Sequence, residues 1–374
     1  MKKIAVIMAG GSGERFWPLS RRRKPKQLLK LSSEKTLIEE SIDRISGLIP
    51  KEDIFIITGE LLLEPIREVL GDFPPQNVIA EPCKRNTAPC LALAASIILA
   101  KYDNLYDASH IVIAVLTADQ LINPVEGFRK TIEHLMNYVA KNNVLATIGI
   151  KPSRAETGFG YIEIDKTFNY SSVDNEISKV ISFHEKPDFN KAQKFMESGR
   201  FLWNSGMFIW RIDKFIEEMI QNLPEIGTKI LQLKEIYKNK TDLVLSGYLP
   251  EANDIFSAFP DISIDYGLME KAKDVVVAKA LFDWDDIGSW DSLGRFKKVD
   301  DDDNISEGNN IILDTKNTTV INQSDGKILF TGFGLDNFVI VVTDDAVLVC
   351  PKDKAQDVKR IVAQIKITGR ESWL

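Results

Sequence analysis

Cysteine and histidine are scarce in this chain, three of each among 374 residues. Cys83, Cys90 and Cys350 have neither metal-ligand spacing nor an even count, which argues against a disulfide framework and a thiolate zinc site. They read as reduced packing residues, and a reducing, cytoplasmic compartment follows as an expectation. His110 opens an apolar run and His134 falls in a helical pattern, so neither has a nucleophile or metal partner in prospect. Only His184 is left as a candidate ligand contact. A basic excess is also missing: 47 Lys and Arg stand against 54 Asp and Glu, a net charge of −7. That balance argues against a nucleic-acid partner and leaves any basic cluster to serve a small anionic ligand. No hydrophobic run is long enough to span a bilayer, since the longest, Cys90 to Ala100, is broken by Ser96, and no membrane partner is expected. Lys2-Lys3 precedes only Ile4 to Ala9, which ends in glycines without a cleavage pattern and reads as a first strand, not a signal peptide. Low-complexity segments and repeats at solenoid periods are absent as well.

What is present is an ordinary soluble composition, 44% hydrophobic and 27% charged, over a length that suggests two domains. Strand-like runs at 3–8, 53–58, 77–80, 110–116 and 144–150 alternate with helical patterns near 36–46, 61–70, 87–101 and 125–141. This alternation predicts an α/β fold of Rossmann-like type, a mixed, mainly parallel sheet with helices on both faces. The middle adds strand-like Phe159–Ile164, Ile177–Glu185 and Gly206–Trp210 and helical 190–198 and 213–221, an elaboration suited to a second binding subsite. After Lys298 the acidic run Asp300–Asp303 marks a break, which places a catalytic domain at 1–298 and a small β-rich domain at 299–374. The latter shows short strands near 310–313, 318–321, 327–330, 337–342 and 346–350, compatible with a short β-helix. A terminal helix with Ala355, Val358, Ile361, Val362 and Ile365 on one side closes it, for docking or for a homodimer contact through the C-terminal domain.

Gly10-Gly11-Ser12-Gly13-Glu14-Arg15 follows the first apolar run, and Pro25-Lys26-Gln27 comes shortly after. Backbone N–H groups of a glycine-rich turn can approach an anion closely. Phe16 stands where a dinucleotide fingerprint needs glycine, and the G-K-[ST] of a Walker A loop is missing. The loop is either a structural turn or a third kind of phosphate cradle, with cations at Arg15 and Lys26. Arg21-Arg22-Arg23-Lys24 reads as a solvated charged loop. Asp119 lies just past the 110–116 strand segment, and Asp283-Trp284-Asp285-Asp286 sets three acids beside aromatics. Asp119 and Asp286 are the candidate pair for Mg²⁺, which takes one or two carboxylates plus phosphates and water; helix capping and surface charge are the alternatives. Lys186, ahead of Pro187, adds a third cation at a sheet terminus. Three cations and two carboxylates from separate segments suit phosphoryl or nucleotidyl transfer, which depends on positioning and charge neutralisation.

Together these motifs resemble the sugar nucleotidyltransferases, most closely members that join GTP to mannose 1-phosphate. The resemblance is carried by Gly10–Arg21, Pro25-Lys26-Gln27, Glu81-Pro82 with Arg85-Asn86-Thr87-Ala88-Pro89, and Glu156–Glu163. Phe183-His184-Glu185-Lys186-Pro187, Trp203–Met207 and Ser263-Ile264-Asp265-Tyr266 complete it, in family order. It implies that a sugar phosphate oxygen attacks the α-phosphorus of GTP in line, giving GDP-mannose and pyrophosphate. On that resemblance the Gly10, Gly11, Ser12 and Gly13 segment holds the nucleotide phosphates, and Arg15 and Lys26 neutralise charge in the transition state and leaving group. Asp119 and Asp286 hold the metal, Lys186 binds the sugar 1-phosphate, and Gly160, Glu185, Asn204 and Asp265 meet sugar and ribose hydroxyls. Guanine presents N1–H and N2–H₂ side by side, a pair that one carboxylate can accept, and Glu81 is the candidate, with Asn86 and Thr87 nearby.

Two departures stand out. Thr117 and Gln120 occupy positions where the family usually has Pro and His, which leaves the surroundings of Asp119 open. A further C-terminal isomerase half, found in bifunctional members, has no counterpart, so a monofunctional enzyme is expected. Remaining alternatives are a guanylyltransferase for another sugar 1-phosphate such as a manno-heptose, a non-catalytic nucleotide-sugar sensor, and a dehydrogenase, the last disfavoured by Phe16.

Overall fold

Ile4, Ala5, Val6 and Ile7 are buried on both sides of the backbone, the signature of a strand covered on two faces. They form the middle of β1 (Lys2–Met8) in a computed structural model that describes residues 1–171, 176–238 and 249–374. By packing, the chain forms two units: Met1–Gly10, Ser41–Ala118 and Ile122–Trp284 in the first, and Gly11–Glu40, Asp119–Leu121 and Asp285–Leu374 in the second.

The first unit holds a nine-stranded mixed sheet. Its strands are β1, β2 (Ile54–Gly59), β3 (Val78–Glu81), β4 (Ile111–Thr117), β6 (Leu145–Ile150), β7 (Tyr161–Ser171), β8 (Glu176–His184), β9 (Phe201–Arg211) and β10 (Val275–Lys279), with β5 (Leu121–Asn123) lying between β4 and β6 in sequence. The order is β3-β2-β1-β4-β9-β6-β10-β8-β7. β3, β2, β1 and β4 run parallel, and β9 is antiparallel to both β4 and β6. The order reverses between β1 and β4, and at such a switch point the carboxyl ends of the strands are where ligands bind in α/β sheets. The chain leaves those two ends toward Gly10 and Asp119.

Helices α1 (Leu37–Ser46), α2 (Leu63–Leu70), α3 (Thr87–Lys101), α4 (Val125–Lys141), α5 (Phe189–Ser198), α6 (Ile212–Asn222), α7 (Pro224–Lys238) and α8 (Pro250–Ser257) connect the strands. α3 is apolar all round and buried from Ala88 to Ala100, as suits a helix enclosed by others, and it packs on α7. α4 is amphipathic instead, burying Phe128, Ile132, Leu135, Met136 and Val139 at helical spacing. Sequence periodicity assigns no helix or strand to 222–298, and the structure adds α7, α8 and β10 there. β11 (Asp283–Asp285) forms at the acidic turn.

In the second unit, β12 (Ile305–Glu307), β14 (Thr319–Asn322) and β16 (Phe338–Val342) stack in parallel, with β17 (Val347–Pro351) antiparallel at the edge. β13 (Asn310–Leu313) and β15 (Phe330–Phe333) make a second parallel face, so successive coils form a short β-helix. Asp314, Asn317 and Asn337 turn its corners at positive φ, where Asn and Asp are the side chains best tolerated. Phe16, Trp17, Leu29 and Leu31 share one buried core with Trp290, Val339, Val341 and Leu348. Val358 and Val362 of the terminal helix α9 (Val358–Ile367) join this core, while Ile361 stays partly exposed. Among the described residues no helix is long and apolar enough to cross a membrane.

Candidate functional site

In the second unit, Ser12, Gly13, Arg15, Lys26, Asp119 and Asp286 line a single open cavity of about 350 Å³, with Glu14, Phe16, Gln120, Gly288 and Lys359. Gly10 and Gly11 are exposed and outside this lining. The loop ends in a single 3-10 turn, Glu14–Phe16, that presents Arg15 while sinking Phe16 fully into the core, edge-on to Trp290 at 5.0 Å. Gly13 sits at φ +59, and a Cβ there would come within 2.5 Å of the Lys26 Cβ. Only glycine permits that approach, which brings the loop backbone against the lysine.

Lys26 is nearly buried, its side chain 9% exposed. Its ammonium donates to Asp119 Oδ2 at 2.9 Å and to the Asp286 carbonyl at 2.5 Å. The lysine therefore ties together the two aspartates that sequence reading paired. Burial pushes the Asp286 carboxyl up to about 6, Lys26 and Arg295 pull it back, and Asp285 and Asp119 push it further. Ile287, between Asp286 and Gly288, holds φ +42 with its side chain fully buried. A β-branched residue in that region is strained, and its burial in the core holds the turn in this conformation. Arg15 Nη1 reaches the Gly288 carbonyl at 3.4 Å. Asp119 and Asp286 offer acceptor-only oxygens, the donors a hard divalent cation takes, and their mutual repulsion is relieved by positive charge. Among the described residues no group of three or more His, Cys, Asp or Glu is placed to hold a metal, so water and phosphate oxygens would complete such a shell.

A second cluster forms within the first unit. Asn204, on β9, donates through Nδ2 to Asp265 Oδ1 at 2.7 Å, and its backbone N–H donates to the Gly160 carbonyl at 2.8 Å. Asp265 opens a five-residue π-helical turn, Asp265–Met269, a form that concentrates at functional sites. Burial lifts its carboxyl above the usual range, the Asn204 amide lowers it, and Glu185 lifts it again. A Cβ on Gly160 would lie 2.7 Å from Glu185 Oε2, so these residues are brought together tightly. Lys186 follows at φ +43, exposed, with its ammonium 3.0 Å from Glu185 Oε1.

Glu81 closes β3, and burial pushes its carboxyl up to about 7, with the buried Cys90 thiol donating to it. Its Oε1 has no hydrogen-bond partner and no exposure, an acceptor that calls for a donor. Asn86 caps α3 at φ 69, its Oδ1 accepting from Thr87 N–H at 3.0 Å. The Thr87 hydroxyl accepts from Ile264 N–H at 2.8 Å, which fixes the segment leading into Asp265. Sequence reasoning missed Lys359: it lies in no motif, and only the docking of α9 brings it to the cavity. Gln120 lines the cavity at one of the two departing positions, while the Thr117 hydroxyl is buried without a hydrogen bond.

The nucleotidyl transferase family model matches residues 4–302, and a MannoseP isomerase/GMP-like beta-helix domain matches 308–365. A mannose-1-phosphate guanylyltransferase of Escherichia coli is 35% identical over 372 residues, covering 98% of this chain and 76% of that protein. One from Salmonella montevideo is 37% identical, covering 99% and 75%. A crystal structure from Thermus thermophilus, described as a mannose-1-phosphate geranyltransferase, superposes with a TM-score of 0.83 at 29% identity, over 98% of this chain and 100% of that one.

Proposed function

Because the chain belongs to the mannose-1-phosphate guanylyltransferases of the nucleotidyl transferase family, we propose that it transfers GMP from GTP to mannose 1-phosphate, giving GDP-mannose and pyrophosphate. The observation that carries the reading is the cavity in which Ser12, Gly13, Arg15 and Lys26 meet Asp119 and Asp286. An oxygen of the sugar phosphate forms a bond to the α-phosphorus as the bond to the bridging β-phosphate oxygen breaks, and pyrophosphate departs with that electron pair. The attacking oxygen is already anionic, so no general base is needed, which fits the lack of a histidine among the lining residues.

The Gly10–Gly13 segment and Arg15 bind and orient the triphosphate. Lys26 holds Asp119 and the Asp286 turn in place and adds fixed positive charge where charge develops, the arrangement that lowers such barriers most. Asp119 and Asp286 hold Mg²⁺, which when bound supplies charge neutralisation at the phosphates. Lys186 binds the sugar 1-phosphate, and Gly160, Glu185, Asn204 and Asp265 select hydroxyls. Glu81 reads guanine N1–H and N2–H₂, with Asn86 and Thr87 shaping the start of α3; the unpartnered Glu81 oxygen supports this role. The catalytic domain takes residues 1–298 and the β-rich domain 299–374. Exposed Ile311, Leu313 and Phe333 support a homodimer through the latter. The free cysteines support a cytoplasmic setting.

The test is pyrophosphate release from GTP, ATP, UTP and dTTP over a panel of sugar 1-phosphates. Turnover is expected with GTP and mannose 1-phosphate, and its absence with that pair overturns the assignment.

A further inference from the structure

We propose that Lys359 of the terminal helix is a further cationic contact for the nucleotide's β- and γ-phosphates and for the leaving pyrophosphate. The proposal rests on the reading of the cavity as the GTP phosphate site. Six charged side chains line that cavity, and they balance: Arg15, Lys26 and Lys359 against Glu14, Asp119 and Asp286. Most of this charge is already committed. Lys26 is bound to Asp119 and the Asp286 carbonyl, and Glu14 is paired with Lys366 at 2.8 Å. A triphosphate brings several negative charges and needs cations that are not spent. Lys359 is exposed and forms no ion pair among the described residues, so beside Arg15 and the tethered charge of Lys26 it is a cation free to turn to phosphate.

Its placement is fixed by the helix that carries it. Val358 and Val362, on either side of it in sequence, are sunk in the core that also holds Phe16 and Trp290. The segment is further tied to both walls of the cavity. Lys366 grips Glu14, and the Trp17 indole donates to the Trp373 carbonyl at 2.8 Å. Gln356 Nε2 donates to Ser289 Oγ at 2.6 Å, beside the Gly288 carbonyl that Arg15 reaches. Only the side-chain torsions of Lys359 remain to be ordered when phosphate arrives, so its charge is pre-positioned. The C-terminal segment thereby supplies part of the nucleotide site.

The experiment compares Lys359→Ala, Lys359→Arg and Arg360→Ala with the native enzyme in both reaction directions. Arg360 shares the helix but lines a different surface hollow with Cys350 and Ile361. Lys359→Ala is expected to raise KM for GTP, and KM for pyrophosphate in the reverse reaction, about tenfold. KM for mannose 1-phosphate and the melting temperature should stay unchanged, Lys359→Arg should recover most of the loss, and Arg360→Ala should behave as native. Phosphate KM values within twofold of native in Lys359→Ala, or an equal loss in Arg360→Ala, overturn the proposal. If the native protein makes no GDP-mannose, the assigned function fails by itself. The Lys359 contact is then still read by the equilibrium Kd for inorganic pyrophosphate, which must weaken in Lys359→Ala for the proposal to stand.

Discussion

Replacing Lys26 by methionine keeps an unbranched apolar stem, with sulfur in place of one methylene, and removes the ammonium, so it tests chiefly what that charge does. The ammonium joins Asp119 Oδ2 at 2.9 Å and the Asp286 carbonyl. Breaking a fully buried pair costs about 3–5 kcal/mol and an exposed one about 0–1 kcal/mol. Here the lysine side chain is 9% and the aspartate 40% exposed, so Asp119 can partly rehydrate. The loss in stability should fall between those limits, about 2 kcal/mol, or about 2–5 °C in melting temperature for a chain of this size.

The effect on rate should be larger than the effect on stability. Removing one pre-positioned group from developing transition-state charge typically costs about 10²–10³ in kcat. A pH profile then separates a working charge from a merely structural one. Burial pushes the Asp286 carboxyl up to about 6, and it must be ionised to hold a cation, so native kcat/KM should fall as pH drops through about 6. The Lys26 charge is the strongest influence holding that value down, so its loss moves the acid limb to higher pH. Pyrophosphate release measured across pH 5 to 9, beside thermal melts, reads both quantities. A Lys26→Met enzyme with kcat within about threefold of native and an unmoved acid limb would falsify the reasoning.

Other perturbations address the remaining groups. Glu81→Gln keeps a single acceptor oxygen, so KM for GTP should rise about tenfold or more, and the preference for GTP over ITP, which lacks the N2 amine, should narrow. In the native enzyme KM for GTP should increase as pH falls below about 7, where the Glu81 carboxyl gains its proton; a flat KM from pH 6 to 8 counts against guanine reading. Gly160→Ala places a methyl within 2.7 Å of Glu185 Oε2 and should raise KM for mannose 1-phosphate about tenfold with KM for GTP unchanged. Equal rises in both values would show a general disturbance instead.

Much of the sheet was legible because burial on both faces writes itself into sequence as unbroken apolar runs, as at Ile4–Ala9 and 110–116. α4 was legible through its 3.6-residue period. α7 was not, although Ile226, Ile230 and Leu233 are spaced for a helix, because Pro224 and Gly227 punctuate its start like a loop. In the structure the proline opens the helix and the glycine allows a close pass, since a Cβ there would meet the Ile220 backbone N at 2.4 Å. The separate motifs around Arg15, Lys26, Asp119 and Asp286 could be found one by one. What local pattern could not express is that Lys26 binds both aspartate segments, or that a terminal helix reaches the same cavity.

That reach bears on how the glycine loop works. Phosphate loops that open a long helix use its aligned backbone dipoles and first-turn N–H groups to hold the anion. This loop runs instead into a single 3-10 turn, Glu14–Phe16, too short to supply a comparable dipole. Positive charge must then come from side chains, and side chains need anchoring that a helix would otherwise provide. Phe16 and Trp17 supply it by burying themselves among Trp290, Val339, Leu348 and Val358, residues of the C-terminal half of the chain. Deleting a buried aromatic of this kind costs about 3–5 kcal/mol, far more than an exposed loop contact could return. The geometry of Arg15 therefore depends on the β-helix and terminal-helix core, and under the proposed reading of the cavity as the GTP phosphate site that dependence gives the C-terminal segment a part in nucleotide binding.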